Sequence, residues 1–232
     1  MVNKNWVNIC FVIDESGSMY SSTSDVIGGF KKMIDEQKAI KDGKVTVSLY
    51  TFNGKVTEHY LMKDINNIPE FKYSASGVTA MNDGIGTAID NVGKWLSNAD
   101  NNGEEMPSKT IVVVMTDGME NSSREYTLKQ VQDKIKEQTD KYSWEFIYMG
   151  CDITTSKAAD TLGFKFKTYG ARDTFGENYD IISSSLSCYR NSISNGATMD
   201  EANDVWCTTI NADLAENTTT YEKKLGRKIS NE

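Results

Sequence analysis

The chain has 232 residues, 38% hydrophobic and 25% charged, with a formal net charge of −8 and a pI near 4.9. That length and apolar content suffice for one large domain with a buried core and exclude a disordered chain. The acidic balance argues against a general affinity for nucleic acid or an anionic membrane surface, and no run approaches the roughly 18 consecutive apolar residues of a membrane-spanning helix.

The opening, Met1-Val2-Asn3-Lys4-Asn5-Trp6, has no apolar stretch ending in small residues. It reads as a mature start and points to a cytoplasmic protein. Residues 6–13 form a near-continuous apolar run, which predicts a first strand with Cys10 as a small core residue. The run ends on Asp14-Glu15-Ser16-Gly17-Ser18-Met19. Val26, Phe30, Met33, Ile34 and Gln37 then repeat on one side of a helix. Residues 44–53 and 55–62 predict two strands, and Asn53-Gly54 between them reads as an antiparallel hairpin. His59, the only histidine, falls in that hairpin as a surface residue.

The segment Ser76-Gly77-Val78-Thr79-Ala80-Met81-Asn82-Asp83-Gly84 precedes a helical stripe of Ile85, Ile89, Val92 and Leu96. A strand over 109–116 closes on Asp117-Gly118. Leu128, Val131, Ile135 and Gln138 form the next stripe, and residues 144–150 and 164–169 give the last two strands. Ile182, Leu186, Tyr189 and Ile193 share one side of a helix. After Gly196, Met199, Ala202, Trp206, Ile210 and Leu214 mark another, either an added core element or a docking helix. From Asn217 the polar, threonine-rich and basic stretch is expected to fray. Cys10, Cys151, Cys188 and Cys207 lie too far apart for a zinc or redox motif. Asn121-Ser122-Ser123 and Asn217-Thr218-Thr219 match the glycosylation sequon, which carries no weight without export.

Strands separated by helix-length stretches predict βαβ crossovers. The expected fold class is α/β: a doubly wound, mostly parallel central sheet with one antiparallel edge strand, helices on both faces and an extra C-terminal helix. The expected division is a domain over 1–196 followed by a helical extension and tail over 197–232.

Asp14, Ser16 and Ser18 put a carboxylate and two hydroxyls at alternating positions where a buried strand ends. Such oxygens suit a hard cation such as Mg²⁺ or Mn²⁺. The same residue types also serve as helix N-caps, and Ser16, Ser18 or Ser21 are candidates for that role. Thr79 and Asp117 supply what the first loop lacks. In an open α/β sheet the ligand site lies at the carboxyl ends of strands near a topological switch point, and Asp14 and Asp117 both fall at such ends. Crowded together, the two carboxylates would raise each other's pKa unless a cation or donors compensate.

Asp-x-Ser-x-Ser, then a Gly-x-Thr loop, then an apolar strand ending in Thr-Asp-Gly resembles the von Willebrand factor A domain family with its metal-ion-dependent adhesion site. The likeness runs from about Trp6 to Tyr169. It implies that Ser16 and Ser18 ligate the metal through their hydroxyls, that Asp14 binds through water and fixes the loop, and that Thr79 and Asp117 are exchangeable ligands. It also implies a stand-alone member of prokaryotic or phage type, working as an adaptor. Its metal would be completed by an Asp or Glu carboxylate from a protein partner, in some systems beside an AAA+ ATPase, and the helix over 179–193, which matches the last helix of the family fold, would be the element coupled to ligand exchange in switching members.

The function expected first is therefore a non-enzymatic, divalent-metal-dependent protein-binding module. A structural component of a larger complex or phage particle, with the metal only stiffening loops, is the alternative. A metal-dependent phosphohydrolase comes third. Glu15 and Glu120 are its available bases, but both read as solvated loop residues.

Overall fold

The computed structural model describes residues 1–150, 153–169 and 175–229. Its strands are β1 (Val2–Asp14), β2 (Lys44–Phe52), β3 (Val56–Asp64), β4 (Met106–Thr116), β5 (Glu145–Gly150) and β6 (Phe166–Tyr169). They form one sheet in the order β3-β2-β1-β4-β5-β6. The β2–β3 pair is antiparallel and every other neighbouring pair is parallel. The helices are α1 (Thr23–Ala39), α2 (Met81–Asn101), α3 (Leu128–Tyr142), α4 (Ile153–Leu162), α5 (Phe175–Ser194) and α6 (Met199–Ile229). This is the expected doubly wound sheet, with its antiparallel edge at β3 and an added helix at the C-terminus. Among the described residues no helix is long and apolar enough to cross a membrane.

Successive side chains of a strand point to opposite faces, and in β1 that alternation feeds two separate apolar layers. Val7, Ile9, Phe11 and Ile13 join residues of α1, α5 and α6. Trp6, Cys10 and Val12 join residues of α2, α3 and α4. With both faces covered, the strand reads as continuously apolar. Burial pushes the Cys10 thiol far up, as suits a small core residue. Cys151 lies outside the described residues.

Two expectations change. Leu128 is 41% exposed and does not extend the α3 stripe. Thr127 and Gln130 form a capping box ahead of it, so the buried face of α3 begins one turn later, at Val131. The chain also does not fray at Asn217, because α6 runs on to Ile229. Asn217 meets the sheet there: its Oδ1 accepts from the Thr168 hydroxyl at 3.1 Å and its Nδ2 donates to Asn178 Oδ1 at 3.4 Å.

Earlier along α6, Ala202, Trp206, Ile210 and Leu214 lie in the α1/α5 layer. A buried lysine of β4 ties the helix down. Lys109 Nζ donates to Asn203 Oδ1 at 3.0 Å and sits 3.5 Å from Glu145 Oε1. It is also 5.2 Å from the Tyr189 ring centroid and 5.0 Å from that of Trp206, within cation–π range. Burial lowers its pKa, opposed by Glu145.

What matters for a site is β1. From it the chain moves outward to β2 on one side and later to β4 on the other, which makes the β1/β4 carboxyl end the switch point. The last paired positions there are Ile13 and Met115. Asp14 therefore emerges beside Thr116, with Asp117 one residue on.

Candidate metal centre

Asp14 is buried at the end of β1, and each of its oxygens is directed. Oδ2 accepts the Thr116 hydroxyl at 2.6 Å, Oδ1 accepts the Ser16 N–H at 2.7 Å, and its carbonyl accepts the Tyr73 hydroxyl at 2.6 Å. Thr116 Oγ1 in turn accepts the Gly118 N–H at 3.0 Å. The first and third loops are thus joined through one threonine. Burial pushes the Asp14 carboxyl up to about 6; hydrogen bonds from Thr116 and Ser16 oppose this, and the nearby Asp117 charge adds to it.

The serine hydroxyls are not used as caps. A 3₁₀ turn over Gly17–Ser22 precedes α1; Ser16, at its start, makes no side-chain cap bond, and the N-cap position of α1 is Ser22. Instead Ser16 Oγ lies 3.1 Å from Ser18 Oγ, and Ser18 Oγ donates to Asp117 Oδ1 at 2.5 Å.

The second loop is seated on both of the others. Gly77, at φ +80°, turns its carbonyl to accept the Gly17 N–H at 3.0 Å, a conformation suited to glycine. Buried Thr79 donates its N–H to Asn121 Oδ1 at 3.0 Å, and its carbonyl accepts the Asn121 N–H at 3.0 Å.

Two carboxylates hold the third loop in shape. Glu120 accepts from the N–H groups of Asn82, Ser122 and Ser123 and from the Ser123 hydroxyl. Asp83 accepts from the N–H groups of Arg124, Glu125 and Tyr126. Glu120 is therefore a loop clamp, a correction to its reading as a solvated residue. Glu15 is corrected likewise: it is half-buried and accepts the Ser74 N–H at 2.9 Å. In both cases the carboxylate satisfies backbone donors that no strand or helix serves, in loops and, for Asn82, in the first turn of α2. His59 stays at the exposed β3 edge, its Nε2 2.9 Å from Thr51 Oγ1.

Three of the five predicted residues meet at Gly118. A methyl group there would lie 3.5 Å from Thr79 Oγ1, 3.6 Å from Ser18 Oγ and 3.8 Å from Asp14 Oδ2. Oxygens from the first and second loops thus face one small space beside the third, left open because residue 118 has no side chain. Ser16 Oγ and Asp117 Oδ1 adjoin it through Ser18. Among the described residues no three His, Cys, Asp or Glu side chains gather at one point, so hydroxyls are part of this donor set. An all-oxygen set with two carboxylates fits a hard divalent cation. The sequence reading missed Thr116 as the orienting donor to Asp14, Tyr73 as the anchor of its carbonyl, and Asn121 as the holder of Thr79. Thr116 stood in the quoted motif; nothing local marks Asn121 or Tyr73.

The family model of the von Willebrand factor type A domain matches residues 8–184. No curated protein matches the chain significantly. Among solved structures, the fold is similar to the PilB minor pilin from Streptococcus sanguinis, with TM-score 0.57, 12% identity and coverage of 84% of this chain and 64% of that one. It is also similar to manganese-loaded TRAP protein from Plasmodium vivax, with TM-score 0.52, 17% identity and coverage of 77% and 72%. The open conformation of the pilus adhesin SpaC from Lactobacillus rhamnosus GG gives TM-score 0.58 and 16% identity over 79% of this chain and 30% of that one. The match to the pilin spans less than two thirds of the pilin's length, and at these identities the likeness shows the fold alone.

Proposed function

The chain belongs to the von Willebrand factor type A domain family, and from that premise we propose that it is a protein-binding module whose grip on its partner depends on Mg²⁺ or Mn²⁺. Ser16, Ser18, Thr79 and Asp117 would hold the ion, with Asp14 fixing the loop beneath it. The bound ion would supply a Lewis-acidic position that takes a carboxylate oxygen from an Asp or Glu of the partner.

The observation that carries this reading is the space beside Gly118, bounded by oxygens of the first two loops and adjoined by Asp117 of the third through Ser18. The manganese in the TRAP structure and the adhesive role named for SpaC belong to those proteins, yet they make cation-dependent adhesion the reading to test first. A phosphohydrolase is disfavoured by the occupancy of its candidate bases, since Glu120 and Glu15 are committed to backbone donors.

The test is thermal unfolding of wild type and Asp14→Ala across Mg²⁺ and Mn²⁺ titrations, against EDTA. Saturation to 100 times Kd adds about 2.7 kcal/mol, a rise of several degrees in Tm for a chain of this size. Wild type should rise and the variant should not; a flat wild type at saturating metal would sink the proposal. If chelation changes stability but leaves association with an isolated partner intact, the metal only stiffens loops and the structural reading takes its place.

A further inference from the structure

Lys109 places an amine where little water reaches. The residue is 4% exposed, and the rings of Tyr189 and Trp206 stand 5.2 and 5.0 Å from its Nζ. Two polar side chains meet that nitrogen from other elements. Asn203 Oδ1, on α6, lies at 3.0 Å, and Glu145 Oε1, at the start of β5, lies at 3.5 Å. An amine, a primary carboxamide and a carboxylate are thus brought together by β4, α6 and β5, with α5 adding the Tyr189 ring.

These groups are the nucleophile, the electrophile and the proton carrier of an amide exchange. A lysine attacks only through its neutral amine. Burial penalises the ammonium and lowers the Lys109 pKa against the pull of Glu145, and Glu145 stands where a general base is needed to take the proton. The carbon open to attack is Asn203 Cγ, one bond beyond Oδ1. Glu145 is the poorer electrophile, because the negative charge of a carboxylate repels an incoming electron pair. Holding amine and carboxamide in contact within a packed core supplies the high effective concentration that such an exchange lacks in solution. The two rings keep out the water that would compete for Cγ.

We propose that Lys109 and Asn203 react to form an amide crosslink between β4 and α6, with Glu145 carrying the proton. Glu145 takes a proton from the Lys109 ammonium, the freed Nζ electron pair forms a bond to Asn203 Cγ, and the carbonyl π pair moves onto Oδ1. A second proton passes from Nζ to Nδ2. The pair on Oδ1 then re-forms the carbonyl as the Cγ–Nδ2 bond breaks. The departing ammonia takes the proton held by Glu145 and leaves as ammonium, which returns Glu145 to a carboxylate. No oxidant, reductant or further reactant is required. The bond joins residues 94 apart in sequence and makes covalent the contact that seats α6 on the sheet.

Intact-mass spectrometry of the purified full chain, followed by tryptic digestion and fragmentation, tests this. Wild type should be lighter than its sequence by one ammonia. The peptide containing Lys109 should be joined to the one containing Asn203, with no cleavage after Lys109. Asn203→Ala and Glu145→Gln should each keep the full mass of their sequences while still unfolding cooperatively. Asn203→Ala should unfold at a lower temperature than wild type, since a crosslink of this span restricts the unfolded chain. A folded wild type of full mass that trypsin cuts after Lys109 overturns the inference. A missing ammonia that maps instead to an Asn-Gly pair such as Asn53-Gly54 or Asn102-Gly103, where the side chain can cyclise onto the backbone, overturns it as well. A crosslink that forms fully in Glu145→Gln removes Glu145 as the carrier and overturns the mechanism.

Discussion

Asn121 holds Thr79 from both sides, donating its N–H to the Thr79 carbonyl and accepting the Thr79 N–H on Oδ1, each at 3.0 Å. The residue that carries a candidate ligand hydroxyl on the second loop is therefore placed by the third. Loss of an outer hydrogen bond that orients a ligand weakens metal binding by about 10–100-fold. Asn121→Ala should weaken Mn²⁺ binding on that scale while the Tm in EDTA falls only slightly, and Asn121→Asp, which keeps the acceptor, should recover most of the affinity. Calorimetric titration with Mn²⁺ alone measures this; unchanged affinity in Asn121→Ala removes its positioning role.

Gly118→Ala separates the site from the fold. The added methyl would make ordinary contacts of 3.5–3.8 Å with Thr79, Ser18 and Asp14, and Gly118 is not among the positive-φ glycines. Metal-free stability should stay within about 1 kcal/mol of wild type, and the metal-induced rise in Tm should vanish. A variant that still responds to Mn²⁺ would place the ion elsewhere.

Asp14 predicts a pH dependence for the metal-free chain. Its carboxyl is pushed from 3.8 up to about 6 in the folded state. Between those values the folded chain holds a proton that the unfolded chain has released. The stability this contributes is fully present below about pH 4 and is lost as pH rises through 6, on the order of 3 kcal/mol in all. A bound cation favours the ionised form, so metal should stabilise the chain more at pH 7.5 than at pH 5. Asp14→Asn should flatten the profile in EDTA and abolish the metal response. Denaturant unfolding from pH 4 to 8, with and without Mn²⁺, tests both statements, and a wild-type profile in EDTA as flat as that of Asp14→Asn would contradict them.

Lys109 makes a prediction about α6. Lys109→Ala removes the cation between Tyr189 and Trp206 and takes the partner from Glu145. Breaking a buried pair in this way costs about 3–5 kcal/mol, lowered here because Glu145 keeps some exposure. Hydrogen exchange along 199–216 should accelerate more than in β1, with Mn²⁺ affinity unchanged. Equal acceleration everywhere would mean that Lys109 supports the sheet rather than the helix.

The mostly parallel sheet with one antiparallel edge, the two-sided burial of β1 and β4, and the placing of Asp14 and Asp117 at neighbouring strand ends were legible in the sequence. Each rests on local periodicity or on short motifs at strand ends. What α6 does beyond Asn217 was not legible, because its polar composition says nothing of Thr168, 49 residues earlier. Leu128 misled for a related reason: helical spacing marks a stripe without showing at which turn the helix meets its neighbour.

The sequence by itself thus determined which residues carry oxygen to the ends of which strands, because alternation and turn chemistry act between near neighbours. Only the tertiary structure decided that Glu120 clamps a loop, that Asn121 seats Thr79, that Lys109 pins α6, and that the oxygens surround a space kept open at Gly118. Each of those depends on groups that meet across the fold, as Ser18 and Asp117 do at a separation of 99 residues. Which donor satisfies which acceptor is settled only once packing has placed both.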